Sequence, residues 1–116
     1  MKIISRTKDK ADILEIQGEI DLHASPQLRD RFGEMASQKR MCVIVNLKGV
    51  SYIDSSGLAT FIEAYQRLAV HSGQLILCHL SDTVRGVFEI ARLEDVLTIV
   101  GTEDEALKLA KEARAN

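Results

Sequence analysis

The sequence has little of what most function classes require. Charge of one sign is missing: Lys plus Arg number 15 and Asp plus Glu 17, a net charge of -2. A balance so near neutral gives no drive toward the phosphate backbone of DNA or RNA. Any effect on transcription would have to pass through another protein. Long hydrophobic runs are missing too. Nothing approaches the stretch of about 18 apolar residues that a transmembrane helix needs, and the opening Met1-Lys2-Ile3-Ile4-Ser5-Arg6 is too short for a signal peptide. A cytoplasmic location with no membrane partner is expected. The two cysteines, Cys42 and Cys78, stand in apolar runs with no CxxC or Cys/His cluster. They read as small buried hydrophobes, and neither a metal nor a cofactor is expected. Catalytic context is lacking as well. No serine has the G-x-S-x-G setting of a nucleophile elbow, and His23, His71 and His79 are scattered. The chain is not expected to be an enzyme.

What is present is an ordinary globular composition, 46% apolar and 28% charged over 116 residues. That is the length of one domain, and no linker, repeat or low-complexity stretch divides residues 1–116. Residues 2–6 suit a first strand, and the charged segment from Lys8 to Asp12 a turn. From Ile13 the pattern alternates, with Leu14, Ile16, Gly18 and Ile20 on one side and Glu15, Gln17 and Glu19 on the other. Period-two alternation marks a strand with one wet face. Ser25-Pro26 reads as N-cap and first helical position, followed by a stripe of Leu28, Phe32, Met35 and Ala36.

Cys42 to Leu47 is a nearly unbroken apolar run that suits a strand covered on both faces. A second helix carries Leu58, Phe61, Ile62, Tyr65 and Leu68, and Ser72-Gly73 stops it. Leu75 to Cys78 is another buried strand. Ser81 can cap a third helix with Val84, Val87, Phe88 and Ala91 inward, where Gly86 suggests close helix–sheet packing. Leu97 to Val100 is a short strand, and Thr102 with Glu105 has capping-box spacing for a last helix over 103–114. The order predicts an α/β fold: a mixed, mostly parallel central sheet of four to five strands with about four helices.

One segment offers chemistry: Asp54-Ser55-Ser56-Gly57, between a buried strand and a helix start. Loops leaving the carboxyl ends of strands form the binding edge of open α/β sheets. A helix N-terminus there presents unpaired N–H groups and about half a positive charge. A phosphate on Ser55 would sit where anions are stabilised, and Gly57, lacking a side chain, admits a close approach. The same tetrad is also simply how helices begin, and alone it does not decide.

A second segment does. Gly18-Glu19-Ile20-Asp21, then a helix, then an apolar strand, then Val50-Ser51-Tyr52-Ile53-Asp54-Ser55-Ser56-Gly57-Leu58 together resemble the bacterial anti-sigma factor antagonists, which are stand-alone STAS domains. The resemblance runs over nearly the whole chain. It implies partner switching: the unphosphorylated protein binds an anti-sigma factor that is also a serine kinase, and a sigma factor is freed. Phosphorylation of the serine after the motif Asp, here Ser55, ends the binding, and a metal-dependent serine phosphatase resets the switch. Asp21 is implied near the acceptor, with His23, Asp54, Ser56 and Gly57 in the docking surface. Many members have Gly where this chain has Ala59; a methyl group there favours the helix. The same resemblance also admits a scaffold, a transporter accessory subunit, or a switch with a target other than a sigma factor.

Overall fold

The structure is a computed structural model that describes residues 1–115; Asn116, the end of the expected domain, lies outside the described residues. Strand β1 (Lys2–Lys8) turns back into β2 (Ala11–Ile20) through Asp9 and Lys10, both at positive φ. That is the turn geometry whose twist matches paired strands. Then follow α1 (Ser25–Ser37), β3 (Cys42–Ile53), α2 (Ser55–Ala69), β4 (Gln74–Cys78), α3 (Asp82–Ile90), a 3-10 turn at Leu93–Asp95, β5 (Thr98–Ile99) and α4 (Glu103–Ala115). The five strands lie side by side in sequence order. Only the β1–β2 pair is antiparallel. The mostly parallel sheet expected from the strand–helix alternation is therefore present.

Two apolar layers flank the sheet. On one side Leu14, Ile16, Ile20, Val43, Val45 and Leu47 meet α1, α2 and α3 through Leu28, Phe32, Phe61, Leu68, Val84 and Phe88. Phe61 stands between Phe32 and Phe88, with ring centroids 5.6 and 5.9 Å away. The other layer is thinner: Ile13, Cys42, Ile44, Ile76 and Cys78 under Ala106, Leu107 and Ala110 of α4. Cys42 and Cys78 are buried and form no disulfide, and burial pushes the Cys78 thiol up to about 12. The α4 N-terminus is pinned by polar contacts. Arg6 bonds Glu15 and Glu103 at 2.6 Å each, and the His79 ring Nε2 accepts the Glu103 N–H at 3.1 Å.

Several local expectations change. The turn expected from Lys8 to Asp12 is confined to Asp9 and Lys10, because β1 runs to Lys8 and β2 starts at Ala11. Strand β3 runs on to Ile53, because its second half pairs with β2 as far as Ile20↔Ile53 across two irregular steps. β5 shrinks to two residues. Ser25 does not cap α1: Ala24 holds the N-cap position, and the Asp21 carboxylate, reaching Ala24 N–H at 2.9 Å, has already closed the turn. Gly86 does not mark close packing, since a Cβ there would meet nothing within 4 Å. At the last helix, Thr102 accepts Glu105 N–H as expected, but the Glu105 carboxylate returns to Gly101 N–H.

Candidate functional site

The parallel strands β2 and β3 end together, with Asp54 N–H donating to the Ile20 carbonyl at 3.3 Å. Two loops therefore leave the sheet side by side: the turn into α1, with Asp21 and His23, and the turn into α2, with Asp54 and Ser55. The join is tight because of Gly57. A Cβ on it would lie 2.7 Å from Ile53 Cγ1 and 2.8 Å from the Ile20 carbonyl oxygen. The backbone that comes close to Gly57 is the protein's own, and Gly57 is buried beneath the surface.

Asp54 is the N-cap of α2, in extended conformation at φ -112°. Its Oδ1 accepts Ser56 N–H at 3.0 Å, Gly57 N–H at 3.1 Å and the Ser56 hydroxyl at 2.5 Å. The Ser56 hydroxyl, the largest influence, holds the carboxylate below its usual range; burial opposes it, and the N–H groups of Gly57, Ser56 and Leu22 add to the lowering. The same bonds satisfy the orphan donors of the helix start. Ser56 is half-buried, its Oγ 3.2 Å from that of Ser25. Ser25 Oγ lies in turn 2.7 Å from the Asp21 carbonyl oxygen. One chain of polar contacts thus links the two turns.

Ser55 stands apart from this network. It is the first residue of α2, it is exposed, and its hydroxyl has no hydrogen-bond partner among the described residues. Asp21 is half-buried and joins the network through its main chain, while His23 is exposed and lines a shallow hollow with Asp21, Glu19 and Gln27. The structure therefore gathers Asp21, Asp54 and Ser56 around the turn, leaves Ser55 and His23 facing solvent, and puts Gly57 underneath. Sequence reasoning missed Ser25, whose place at a helix start reads as a cap, and Leu22, an apolar side chain 69% exposed in the same loop. Among the described residues no group of three or more His, Cys, Asp or Glu could hold a metal, and no helix is long and apolar enough to cross a membrane.

A sheet in sequence order, helices on both faces and a polar strand-to-helix turn after β3 define a class. Residues 2–106 match the STAS domain family, to which the chain belongs. It is 32% identical over 105 residues to an anti-sigma-B factor antagonist of Listeria monocytogenes, covering 90% of this chain and 91% of that one. Among solved structures it resembles the anti-sigma factor antagonist SpoIIAA in its unphosphorylated form (25% identity, TM-score 0.74, 95% and 98% of the two chains). It also resembles the Bacillus cell fate determinant SpoIIAA in the phosphorylated form (27% identity, TM-score 0.71, 92% and 97%).

Proposed function

We propose that this chain is an anti-sigma factor antagonist, a regulator with no catalysis of its own, and that Ser55 is its switch. The unphosphorylated form binds an anti-sigma factor in the cytoplasm and so frees a sigma factor. The anti-sigma factor doubles as an ATP-dependent serine kinase. In the transfer, Ser55 Oγ forms a new bond to the γ-phosphorus of ATP. The bond from that phosphorus to the β,γ-bridging oxygen breaks, ADP leaves, and the hydroxyl proton passes to a base of the kinase. A metal-dependent serine phosphatase reverses the state by hydrolysis. The names of the relatives support the antagonist role, and a phosphorylated neighbour supports the switch.

One observation carries the reading: of the two adjacent serines, only Ser55 is exposed with its hydroxyl unengaged. A kinase must reach an oxygen with a lone pair to offer, and Ser55 offers one at the binding edge of the sheet. Asp21, His23, Asp54 and Ser56 would then border the surface a partner covers, and Gly57 would support it from below. The test is reaction with the cognate kinase and ATP, read by fragmentation of the modified peptide. Phosphate on Ser55 is expected. Phosphate mainly on Ser56, or none on either, contradicts the reading.

A further inference from the structure

Leu22 is 69% exposed at the edge of the sheet that carries Ser55. Met41, Val70, Ile90 and Val96 also face water, but at the opposite edge, where helices end and parallel strands begin. Apolar side chains scattered singly over a surface are ordinary. Leu22 differs in its place and in how it is held. It lies between Asp21 and His23 in the loop that leaves β2, and β2 ends beside β3, which leads to Ser55. A loose loop could turn such a side chain inward, but this one is fixed on both sides. The Asp21 carboxylate accepts Ala24 N–H at 2.9 Å. The Asp21 carbonyl accepts Ser25 N–H at 2.9 Å and the Ser25 hydroxyl at 2.7 Å. Leu22 N–H itself donates to the Asp54 carboxylate, the same group that caps α2. Asp54 therefore fastens the turn of Leu22 to the turn of Ser55. Polar bonds fix the backbone and leave the apolar side chain in water. Such a side chain gains by transfer to an apolar pocket, and a turn already in place loses little freedom when it happens.

We propose that Leu22 is the apolar anchor of the surface around Ser55, seated in an apolar pocket of the anti-sigma factor when the unphosphorylated protein binds. This rests on the reading of the chain as an anti-sigma factor antagonist. Asp54 and Ser56 bond within the turn, and Gly57 is buried, so these residues offer a partner few free groups. Leu22 offers apolar area, whose removal from water drives association. It also gives Ser55 an address, because a kinase that holds Leu22 has the Ser55 hydroxyl on the same fastened pair of turns. Leu22 does not touch the phosphoryl group in transfer. Its contact is therefore made equally in the bound complex and in the transition state, and it lowers KM without raising kcat.

The test compares wild type with Leu22→Ala, Leu22→Met and, at the opposite edge, Val70→Ala. Each is titrated calorimetrically with the purified anti-sigma factor, then used as the substrate of its kinase activity with ATP. Leu22→Ala should weaken binding at least about tenfold and raise KM by a similar factor with kcat unchanged. Leu22→Met should keep most of the affinity, since apolar volume is kept, and Val70→Ala should match wild type. Two further readouts separate an anchor from a residue that merely props the turn: the melting temperature, and the carbon-13 titration midpoint of the Asp54 carboxyl. Both should stay at wild-type values in Leu22→Ala, because the side chain stands in water and the N–H that Asp54 holds is retained. Wild-type affinity in Leu22→Ala overturns the anchor, as does an equal loss in Val70→Ala. A loss of binding that comes with a shifted Asp54 midpoint, or a fall in kcat at unchanged KM, overturns it too. If wild type itself does not bind, the functional reading fails and the anchor falls with it, a result distinct from all of these.

Discussion

Two glycines, both inside helices, separate packing from propensity at the scale of the residue. Gly57 lies against the ends of β2 and β3, and a Cβ there would fall under 3.0 Å from the Ile20 carbonyl oxygen and two isoleucine carbons. Gly57→Ala should cost about 1–3 kcal/mol through overpacking. Gly86 faces open space in the middle of α3, so Gly86→Ala should stabilise by about 0.5–1 kcal/mol. Denaturant titration of the two variants gives both signs. Sequence alone treats the two glycines alike, since nothing along the chain says how near another strand passes. Asp54 is the third residue with a definite expectation. Asp54→Ala removes the α2 cap and should cost about 0.5–2 kcal/mol. The carboxylate is held below its usual range chiefly by the Ser56 hydroxyl. A depressed folded value contributes stability above the unfolded value, about 3.9 for Asp, and that contribution fades as pH falls through the folded value. The stability gap between wild type and Asp54→Ala should therefore hold near neutral pH and close in acid, as thermal melts across pH 2–7 would record (roughly one Asp titration wide).

At the scale of the element, burial decided what could be read. The alternation of Leu14, Ile16 and Ile20 is legible because one face of β2 lies under α1 to α3. The run from Cys42 to Val45 is legible because α4 covers the other face of β3. Legibility stops where burial stops. In the second half of β3, Lys48, Gly49, Ser51 and Tyr52 are exposed and the register shifts against β2, so no two-residue period survives. Asp54-Ser55-Ser56-Gly57 was legible because a cap, polar residues and a small residue must meet at a tight strand-to-helix turn. The Ser25–Ser56 contact was not, because it joins residues 31 positions apart on two loops that only the sheet brings together. The helices should also differ in their opening. Of the described side chains of α4, only Ala106, Leu107 and Ala110 are buried, and among the described residues the layer they join holds strand side chains and no second helix. The amide hydrogens of α4 should exchange at lower opening free energy than those of α2, which buries Phe61, Ala64 and Leu68 in the thicker layer. Hydrogen exchange read by mass spectrometry would rank them.

For the molecule as a whole, the question is what a phosphate on Ser55 changes. It adds a charge of about -1.5 to -2 to a chain whose net charge is -2. The helix dipole favours it by a few tenths to about 1 kcal/mol, but Asp54 already holds the N–H groups of Ser56 and Gly57 and repels it. With those donors taken, the phosphate has no place inside the turn and projects from the exposed first residue of α2. The fold should neither melt nor rearrange; the surface that a partner must cover changes instead. The most direct test is a binding titration of the unmodified and Ser55-phosphorylated proteins against the anti-sigma factor, with thermal unfolding of the same two samples. Affinity should fall at least tenfold, about 1.4 kcal/mol, while the melting temperature moves by only a few degrees, about 1 kcal/mol or less at this size. Unchanged affinity, or a loss of stability as large as the loss of binding, would contradict the account.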